Sequence, residues 1–391
     1  MRQFELDDEQ RAIYDQAFRY AQAELAPLLP RMDDEDWYPP DLMNRLGKAG
    51  YLGITAPAEY GGAGMDLFSA GLVAEAFGYW NLNAAMIWGP HENLCLNNIL
   101  RHGDADQKRR YLPKLVSGEW VGALALTEPG AGSDAVGGMR TRARRDGDDY
   151  VLDGTKMFIS NGPVADVVLV YAKTAPERGP RGISAFIVEK GMPGFRVGQR
   201  LLKMGWRGCP TGELVFDDCR VPARNLVGGE NDGVAVLMSG LDIERAFLAM
   251  PSIGLAQRCL DLATAYAGAR EQFNRPIGSF QLVQGMLADM YVDLESARTL
   301  VYRAAMACNA LARGEGGRGD IHKLCAASIV AASTMAIRVA DRAVQIHGGN
   351  GFMWQTEVNR AYRNVRVGTI GGGTHEIRQL IIAEELLRSA S

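Results

Sequence analysis

The sequence has few histidines and few cysteines, and neither is clustered. Its five histidines and six cysteines (Cys95, Cys209, Cys219, Cys259, Cys308, Cys325) contain no C-x-x-C pair and no His at ligand spacing. That argues against a zinc site, any other metal centre or a disulfide framework, and leaves buried, reduced thiols as the expectation. Neither sign of charge is in excess: 42 Lys and Arg face 46 Asp and Glu, a formal net charge of −4. No electrostatic feature therefore points to nucleic acid or a membrane surface as a partner. No uninterrupted apolar run reaches bilayer-spanning length. The acidic, amphipathic start Met1-Arg-Gln-Phe-Glu-Leu-Asp-Asp-Glu-Gln10 lacks the basic and then apolar regions of a secretory signal. The expected location is cytoplasmic, or the mitochondrial matrix for a eukaryotic source. Internal repeats and low-complexity tracts are also missing.

What is present is 391 residues, too many for one ordinary core, with a change of period along the chain. Residues 1–120 carry helical apolar spacing at 7–26, 40–49, 67–79, 93–102 and 106–117, with Gly or Pro at the joints. Asp7-Asp8-Glu9-Gln10 and Asp104-Ala-Asp-Gln107 have the form of capped helix starts. From Trp120 the period falls to two. Short β-type runs at 140–145, 150–152, 156–160, 167–171, 184–188, 195–198 and 214–216 are separated by turns expected at 146–148, 153–154 and 191–194. Long helical patterns return at 232–270, 279–313, 320–347 and 374–387, with 313–319 expected as a helix-to-helix turn. The order predicts an α+β multidomain fold. It comprises an N-terminal helical domain (1–120), a middle β-sandwich or barrel (121–230) and a C-terminal four-helix bundle (231–391).

One position breaks its own pattern. Leu237, Leu241, Glu244 and Leu248 fall on one helical stripe, so a carboxylate stands where an aliphatic is called for. A carboxylate desolvated among aliphatics has a raised pKa and suits the deprotonation of a weak carbon acid. On this stretch alone the plainer reading is the stronger one: a Glu at the edge of the stripe, paired with Arg245 or another helix.

Several glycine-rich stretches surround that problem. Thr127-Glu-Pro-Gly-Ala-Gly-Ser-Asp134 offers bare backbone and hydroxyls to a polar ring edge or a phosphate, and is equally an ordinary turn. It is not G-x-G-x-x-G inside a strand-helix unit, which disfavours a nicotinamide fold. Lys156-Met-Phe-Ile-Ser-Asn-Gly162 sets an aromatic beside hydrogen-bonding groups, suited to stacking on a planar ring or to plain core packing. Arg270 could grip a diphosphate or simply be solvated at a helix end. Gln345-Ile-His-Gly-Gly-Asn-Gly351 has more glycines than one helix cap needs. Ile370-Gly-Gly-Gly-Thr-His-Glu376 places side-chain-free backbone ahead of a helix start, as a hinge or as a seat for a flat ligand.

Together and in this order these motifs are specific. Over almost its full length the chain resembles the acyl-CoA dehydrogenase family of flavoenzymes, and within it the isovaleryl-CoA dehydrogenase branch. The resemblance rests on the segment 125–134, Phe158-Ile-Ser160, Arg270-x-x-Phe273, Gln345-x-x-Gly-Gly349 and Gly373-Thr374. In most of that family the base is a Glu directly before the last Gly-Thr, where this chain has Gly372. The isovaleryl-type branch carries its base on the earlier helix in a Leu-Asp-Leu-Glu-Arg context, which Leu241-Asp-Ile-Glu-Arg245 matches.

The resemblance implies FAD as cofactor and Glu244 as catalytic base, with the Gly372 N–H helping to polarise a thioester oxygen. It implies cofactor contacts at Leu126, Thr127, Gly132, Ser133, Phe158, Ile159, Ser160, Thr374 and Glu376. At the diphosphate and adenosine end it implies Arg270, Phe273, Gln281, Gln345, Gly348 and Gly349, contributed by a partner subunit. Substrate contacts are implied at Ser133, Ala235, Leu241, Asp242, Arg245, Leu248 and Gly373. The reaction implied is α,β-dehydrogenation of a short or branched acyl-CoA, by a homotetramer that passes electrons to an electron-transfer flavoprotein. Ala235, Phe247, Met250 and Pro251 depart from the branch pattern and bear on acyl preference, Phe247 and Met250 by altering bulk near the base. Met204-Gly-Trp-Arg-Gly-Cys-Pro-Thr-Gly-Glu213 is similar to relatives that oxidise prolyl groups on a carrier protein. A carrier-bound acyl or prolyl thioester is thus the alternative substrate, and a non-catalytic flavin-binding protein on the same fold the alternative class.

Overall fold

The computed structural model describes residues 6–312 and 318–388. The turn expected at 313–319 lies, for residues 313–317, outside the described residues.

The helical first region begins with α1 (Asp8–Tyr20), and the Asp7–Gln10 capping box expected there is formed in both directions. Then come α2 (Leu29–Asp34), α3 (Leu42–Lys48), α4 (Leu67–Trp80), α5 (Leu82–Gly89), α6 (Asn97–His102) and α7 (Ala105–Val116). Helix α7 opens on a second complete capping box, Asp104 with Gln107. The helix expected over 93–102 is a π-helical stretch, Pro90–Leu96, running into α6. It is held from inside. Buried His91 accepts from the Gly122 N–H through Nδ1 and donates through Nε2 to Leu115 O, while the buried Glu92 carboxylate accepts from the N–H groups of Gly53 and Ile54. Such side-chain ties to distant backbone leave no mark in apolar spacing.

The middle region contributes β1 (Gly122–Ala125), β2 (Arg142–Asp146), β3 (Asp149–Ser160), β4 (Val167–Lys173), β5 (Ile183–Glu189), β6 (Phe195–Arg200), β7 (Thr211–Pro222) and β8 (Leu226–Val227). They form one eight-stranded sheet in the order β6-β7-β3-β2-β4-β5-β8, with β1 added parallel to β4. All of β4 up to Ala172 is buried, because both faces are covered. Val167, Leu169 and Tyr171 pack with α7, whereas Val168, Val170 and Ala172 pack with β3 and β7. The turn expected at Asp153-Gly154 is not one: β3 runs through it with a bulge between Leu152 and Gly154. A Cβ at Gly154 would stand 2.4 Å from Thr141 Oγ1, so the glycine there serves close strand approach.

The last region starts with α8 (Gly233–Ala269), which continues through Pro251. A short hairpin, β9 (Glu271–Gln272) and β10 (Arg275–Pro276), precedes α9 (Gln281–Ala312) and α10 (Arg318–His347). Then follow α11 (Gly349–Phe352), α12 (Glu357–Val365) and α13 (His375–Arg388). Helices α8, α9, α10 and α13 pack against one another as a bundle. By length and composition, residues Gly319–His347 of α10 could cross a bilayer, yet 56% of the apolar window is buried inside the protein, as in a bundle core.

Helix α4 locks the first region to the bundle. Glycines on both helices let α4 and α8 approach closely: a Cβ at Gly78 of α4 would lie 2.3 Å from Pro251 O, and one at Gly254 of α8 would lie 2.0 Å from Glu75 O. Gly254→Ala is expected to lower stability by about 1–3 kcal/mol through overpacking against backbone that has nowhere to go. Thermal unfolding with FAD bound measures it; an unchanged midpoint would mean that the two helices can separate at no cost.

Candidate active site

The stripe on α8 and the glycine turn before α13 meet. Gly372 and Gly373 have φ of 67° and 95°, the left-handed region that glycine enters without strain. A Cβ built on Gly372 would lie 3.3 Å from Leu248 Cδ2, 3.4 Å from Glu244 Oε1 and 3.5 Å from Arg378 Nη2. The Glu244 carboxylate therefore stands in van der Waals contact with the position from which a side chain at 372 would start. Burial pushes the Glu244 pKa up, against the opposing pull of Arg245 and then Arg378. That direction makes its carboxylate a stronger base than an ordinary one.

Arg378 lies just beyond the last sequence motif, which ends at Glu376, and no motif marks it. Its side chain is fully buried, with Nη1 donating to Gly368 O at 2.8 Å and Nη2 donating to Gly371 O. The available signal was an arginine one helical turn past Thr374, on the inward side of α13. Arg245 is also buried, with Nη1 3.4 Å from His322 Nδ1 of α10. Leu241 is partly buried against the core that holds Tyr171, Val236 and Leu237, and Ala235 is exposed. The side chain of Asp242 lies outside the described residues. Leu248 shares a cleft with Leu82, Met86, Trp206, Ser252 and Gly368, most of which no motif marked. Of the two bulky departures on α8, Phe247 packs on Trp88 with ring centroids 5.1 Å apart. Met250 is corrected: it is fully buried and faces Gly71 of α4, where a Cβ would come within 3.1 Å of its Cε, so it fills the helix interface.

A second feature lies on the sheet. A bulge between Lys156 and Ile159 turns Phe158 outward, at φ 61° and 65% exposed. Ser160 and Thr127 are half-buried nearby in chain terms, with the Met157 N–H donating to Thr127 O at 2.8 Å. Gly132 and Ser133 are exposed, and a Cβ at Gly132 would meet nothing within 4 Å. The same bulge drives the Ile159 side chain inward, 3% exposed in the sheet core, so any contact it makes with a cofactor is through its backbone. Lys156, fully buried, donates to Leu126 O and to Glu128 Oε1, both at 2.9 Å, and Glu128 accepts from the N–H groups of Arg140 and Thr141. An ion pair thus braces the strand end on which Leu126 and Thr127 sit. Leu126 packs on the same core as Leu241, which ties this platform to α8. A large exposed ring at strained backbone, beside open glycine and hydroxyls, fits a flat heteroaromatic ligand such as the FAD ring.

The third group of expected residues lies elsewhere. Arg270, Phe273 and Gln281 are exposed around the β9–β10 hairpin, and Phe273 is 88% exposed. Gln345, Gly348 and Gly349 are exposed at the end of α10, which adjoins the hairpin because Tyr266 stacks on His347 at 4.2 Å. From Glu244 to Tyr266 the straight run of α8 is about 33 Å at ~1.5 Å per residue. One chain therefore brings these residues together, but at the far end of α8 from its own Glu244. Thr374 sits with the glycine turn, accepting from the Ile377 N–H at 3.4 Å. Glu376 is fully exposed, and its own N–H and then the Thr374 hydroxyl hold its carboxyl below the usual range.

A proton-accepting carboxylate beside bare backbone N–H groups, in a chain that presents a ring platform, is the equipment of a flavin-dependent enzyme that breaks C–H bonds next to a carbonyl. Comparison with known proteins agrees. Family models match residues 7–119 (acyl-CoA dehydrogenase, N-terminal domain), 123–219 (middle domain) and 231–387 (C-terminal domain). The mitochondrial isovaleryl-CoA dehydrogenase of Oryza sativa subsp. japonica is 45% identical over 98% of this chain and 92% of its own. The butyryl-CoA dehydrogenase of Megasphaera elsdenii superposes with a TM-score of 0.94 at 36% identity, covering 99% of this chain and 100% of that one. PigA with FAD and proline gives 0.91 at 31%, covering 98% and 99%. The chain belongs to the acyl-CoA dehydrogenase family. Within it the similarity runs to the isovaleryl-CoA dehydrogenase branch. It is an FAD-dependent oxidoreductase that dehydrogenates an acyl-CoA thioester between its α and β carbons.

Proposed function

We propose that Glu244 takes the α-proton of a short, branched acyl-CoA of the isovaleryl type, giving the trans-2-enoyl thioester. The observation that carries this is the contact between Glu244 Oε1 and the empty side-chain position of Gly372. FAD, when bound, supplies the acceptor for the β-hydrogen and its electron pair. The turn at Gly372 and Gly373 offers the thioester oxygen a backbone N–H in a site without side-chain crowding, which favours the enolate-like charge that develops as the proton leaves. Leu248 and its cleft receive the acyl branch, and Arg245, Ala235, Leu241 and Ser133 border the thioester arm. Phe158 and Leu126 seat the flat ring, with Thr127, Gly132, Ser133, Ser160 and Thr374 as polar contacts.

The separation along α8 supports a cofactor shared between copies, in which Arg270, Phe273, Gln281, Gln345, Gly348 and Gly349 of a second copy take its diphosphate and adenosine end. To the same reading belong a homotetramer built of such pairs, three domains divided near residues 120 and 230, and an electron-transfer flavoprotein as acceptor. The likeness to PigA with FAD and proline supports a second reading in which the thioester is borne on a carrier protein. A panel of short, branched and cyclic acyl groups, each on CoA and on a pantetheine-bearing carrier, tests both. The first reading expects isovaleryl-CoA among the best substrates by kcat/KM; a carrier-borne prolyl group outrunning every CoA ester would replace it with the second.

A further inference from the structure

Arg378 has no part in the function just described, yet it is a cation with no exposed surface. Its Nη1 and Nη2 hold the carbonyls of Gly368 and Gly371, and its Nε has no partner among the described residues. A neutral amide could serve two carbonyls, so the charge itself needs a reason. The anion facing it is Glu244: both groups lie around the Gly372 side-chain position, at 3.4 and 3.5 Å, which caps their separation at about 7 Å. We propose that Arg378 is the positioning residue of this site, clamping the Gly368–Gly373 turn so that the Gly372 N–H is aimed and turning its charge toward Glu244 so that the buried carboxylate stays ionised. The proposal rests on the reading of Glu244 as the base.

Other charges and titratable groups near Glu244 set what Arg378 adds. Arg245 stands on α8 itself, with His322 of α10 against it. Tyr171 of β4 faces Glu244, and its phenol is pushed up by burial and, in smaller part, by that carboxylate; Arg101 of α6 is near Tyr171. Burial pushes Arg378 down to about 10, so it keeps its proton through the working range of an enzyme, with Glu244 acting to hold that proton on. Arg245 therefore shares the electrostatic task, while the carbonyl clamp belongs to Arg378.

The test compares FAD-loaded Arg378→Gln, Arg378→Lys and Glu244→Gln with the natural enzyme. Arg378→Gln is expected to move the acidic limb of kcat/KM up by about one pH unit or more, because an opposite charge at this range lowers a carboxyl by that much. It is also expected to weaken enoyl-CoA binding about tenfold, read from the absorbance of bound flavin, since the turn donor is no longer fixed. Arg378→Lys should restore the limb but not the binding. A limb unmoved in Arg378→Gln, with only FAD content or melting temperature reduced, would leave Arg378 merely structural and overturn the proposal. Should Arg378→Gln not fold, Arg378→Lys decides alone: a natural limb with binding weakened supports the clamp, and natural binding or a displaced limb overturns it. If Glu244→Gln keeps its activity, the base assignment itself has failed, whatever Arg378 does.

Discussion

Replacing Glu244 with Gln is expected to cut turnover by at least about a hundredfold with FAD still bound, the range that a positioned base contributes. The amide has the carboxylate's shape and fills the same space beside Leu248 and Gly372, so packing on α8 is kept and the loss isolates proton abstraction. The pH dependence has a definite sign. Burial raises the Glu244 pKa, so activity in the natural enzyme is present above that raised value and is lost as pH falls through it, at higher pH than an ordinary carboxylate would give. The acidic limb should vanish in Glu244→Gln. Steady-state rates from pH 5 to 9, with flavin absorbance confirming cofactor content, check both points. A Gln variant within a few-fold of natural turnover would mean that another group is the base.

The second large effect is on the platform. Lys156→Met removes the cation beneath Leu126 and Thr127 and leaves Glu128 buried without its charge partner. Breaking such a pair costs about 3–5 kcal/mol, because one charge stays desolvated and uncompensated. Leu126 O loses its donor as well, so FAD retention should fall with stability. Burial opposes the Glu128 charge, yet Lys156 and the Thr141 contacts hold its carboxyl below the usual value. In the natural protein that stability is present above the unfolded carboxyl pKa and is lost as pH falls through the depressed one. Without Lys156, burial is opposed only by the Arg140 and Thr141 contacts and the carboxyl rises, so protonation relieves the cost. The stability deficit of Lys156→Met should therefore shrink on acidification toward pH 5, a trend that melting temperatures across pH would show. A deficit that grew at low pH would contradict this account of the pair.

These two sites differ in how far the sequence announced them. Glu244 stood out because a carboxylate interrupted an aliphatic stripe, and Gly372 because a resemblance left a gap where a base is usual. Both observations are local in sequence, and they converge on one contact in space. The capping boxes at Asp7 and Asp104 were legible for the same reason: a three-residue spacing carries the whole hydrogen-bond scheme.

What stayed hidden depends on distant partners. The outward turn of Phe158 comes from a bulge against β7, so the chain pattern alone could not tell that Ile159, its neighbour, is a core residue. Asp153-Gly154 has the composition of a turn, but pairing with β7 on one side and β2 on the other carries the strand through it. Helix α12 was missed because buried arginines take inward positions on it: Arg363 pairs with Asp33 and Arg360 reaches Asp34, so its inner face does not read as apolar. Arg378 was missed likewise. A buried cation serving backbone carbonyls has no spacing rule by which to find it.

The most direct test of the central claim separates proton removal from hydride loss. An acyl-CoA whose β-carbon carries no hydrogen can be deprotonated but not dehydrogenated, so its α-protons report on the base alone. Incubated in deuterium oxide with the natural enzyme, it should take up α-deuterium at a rate that falls at acidic pH, and with Glu244→Gln the uptake should drop to the uncatalysed level. Uptake by the Gln variant at the natural rate would contradict the account, because the proton would then leave to some group other than the carboxylate beside Gly372.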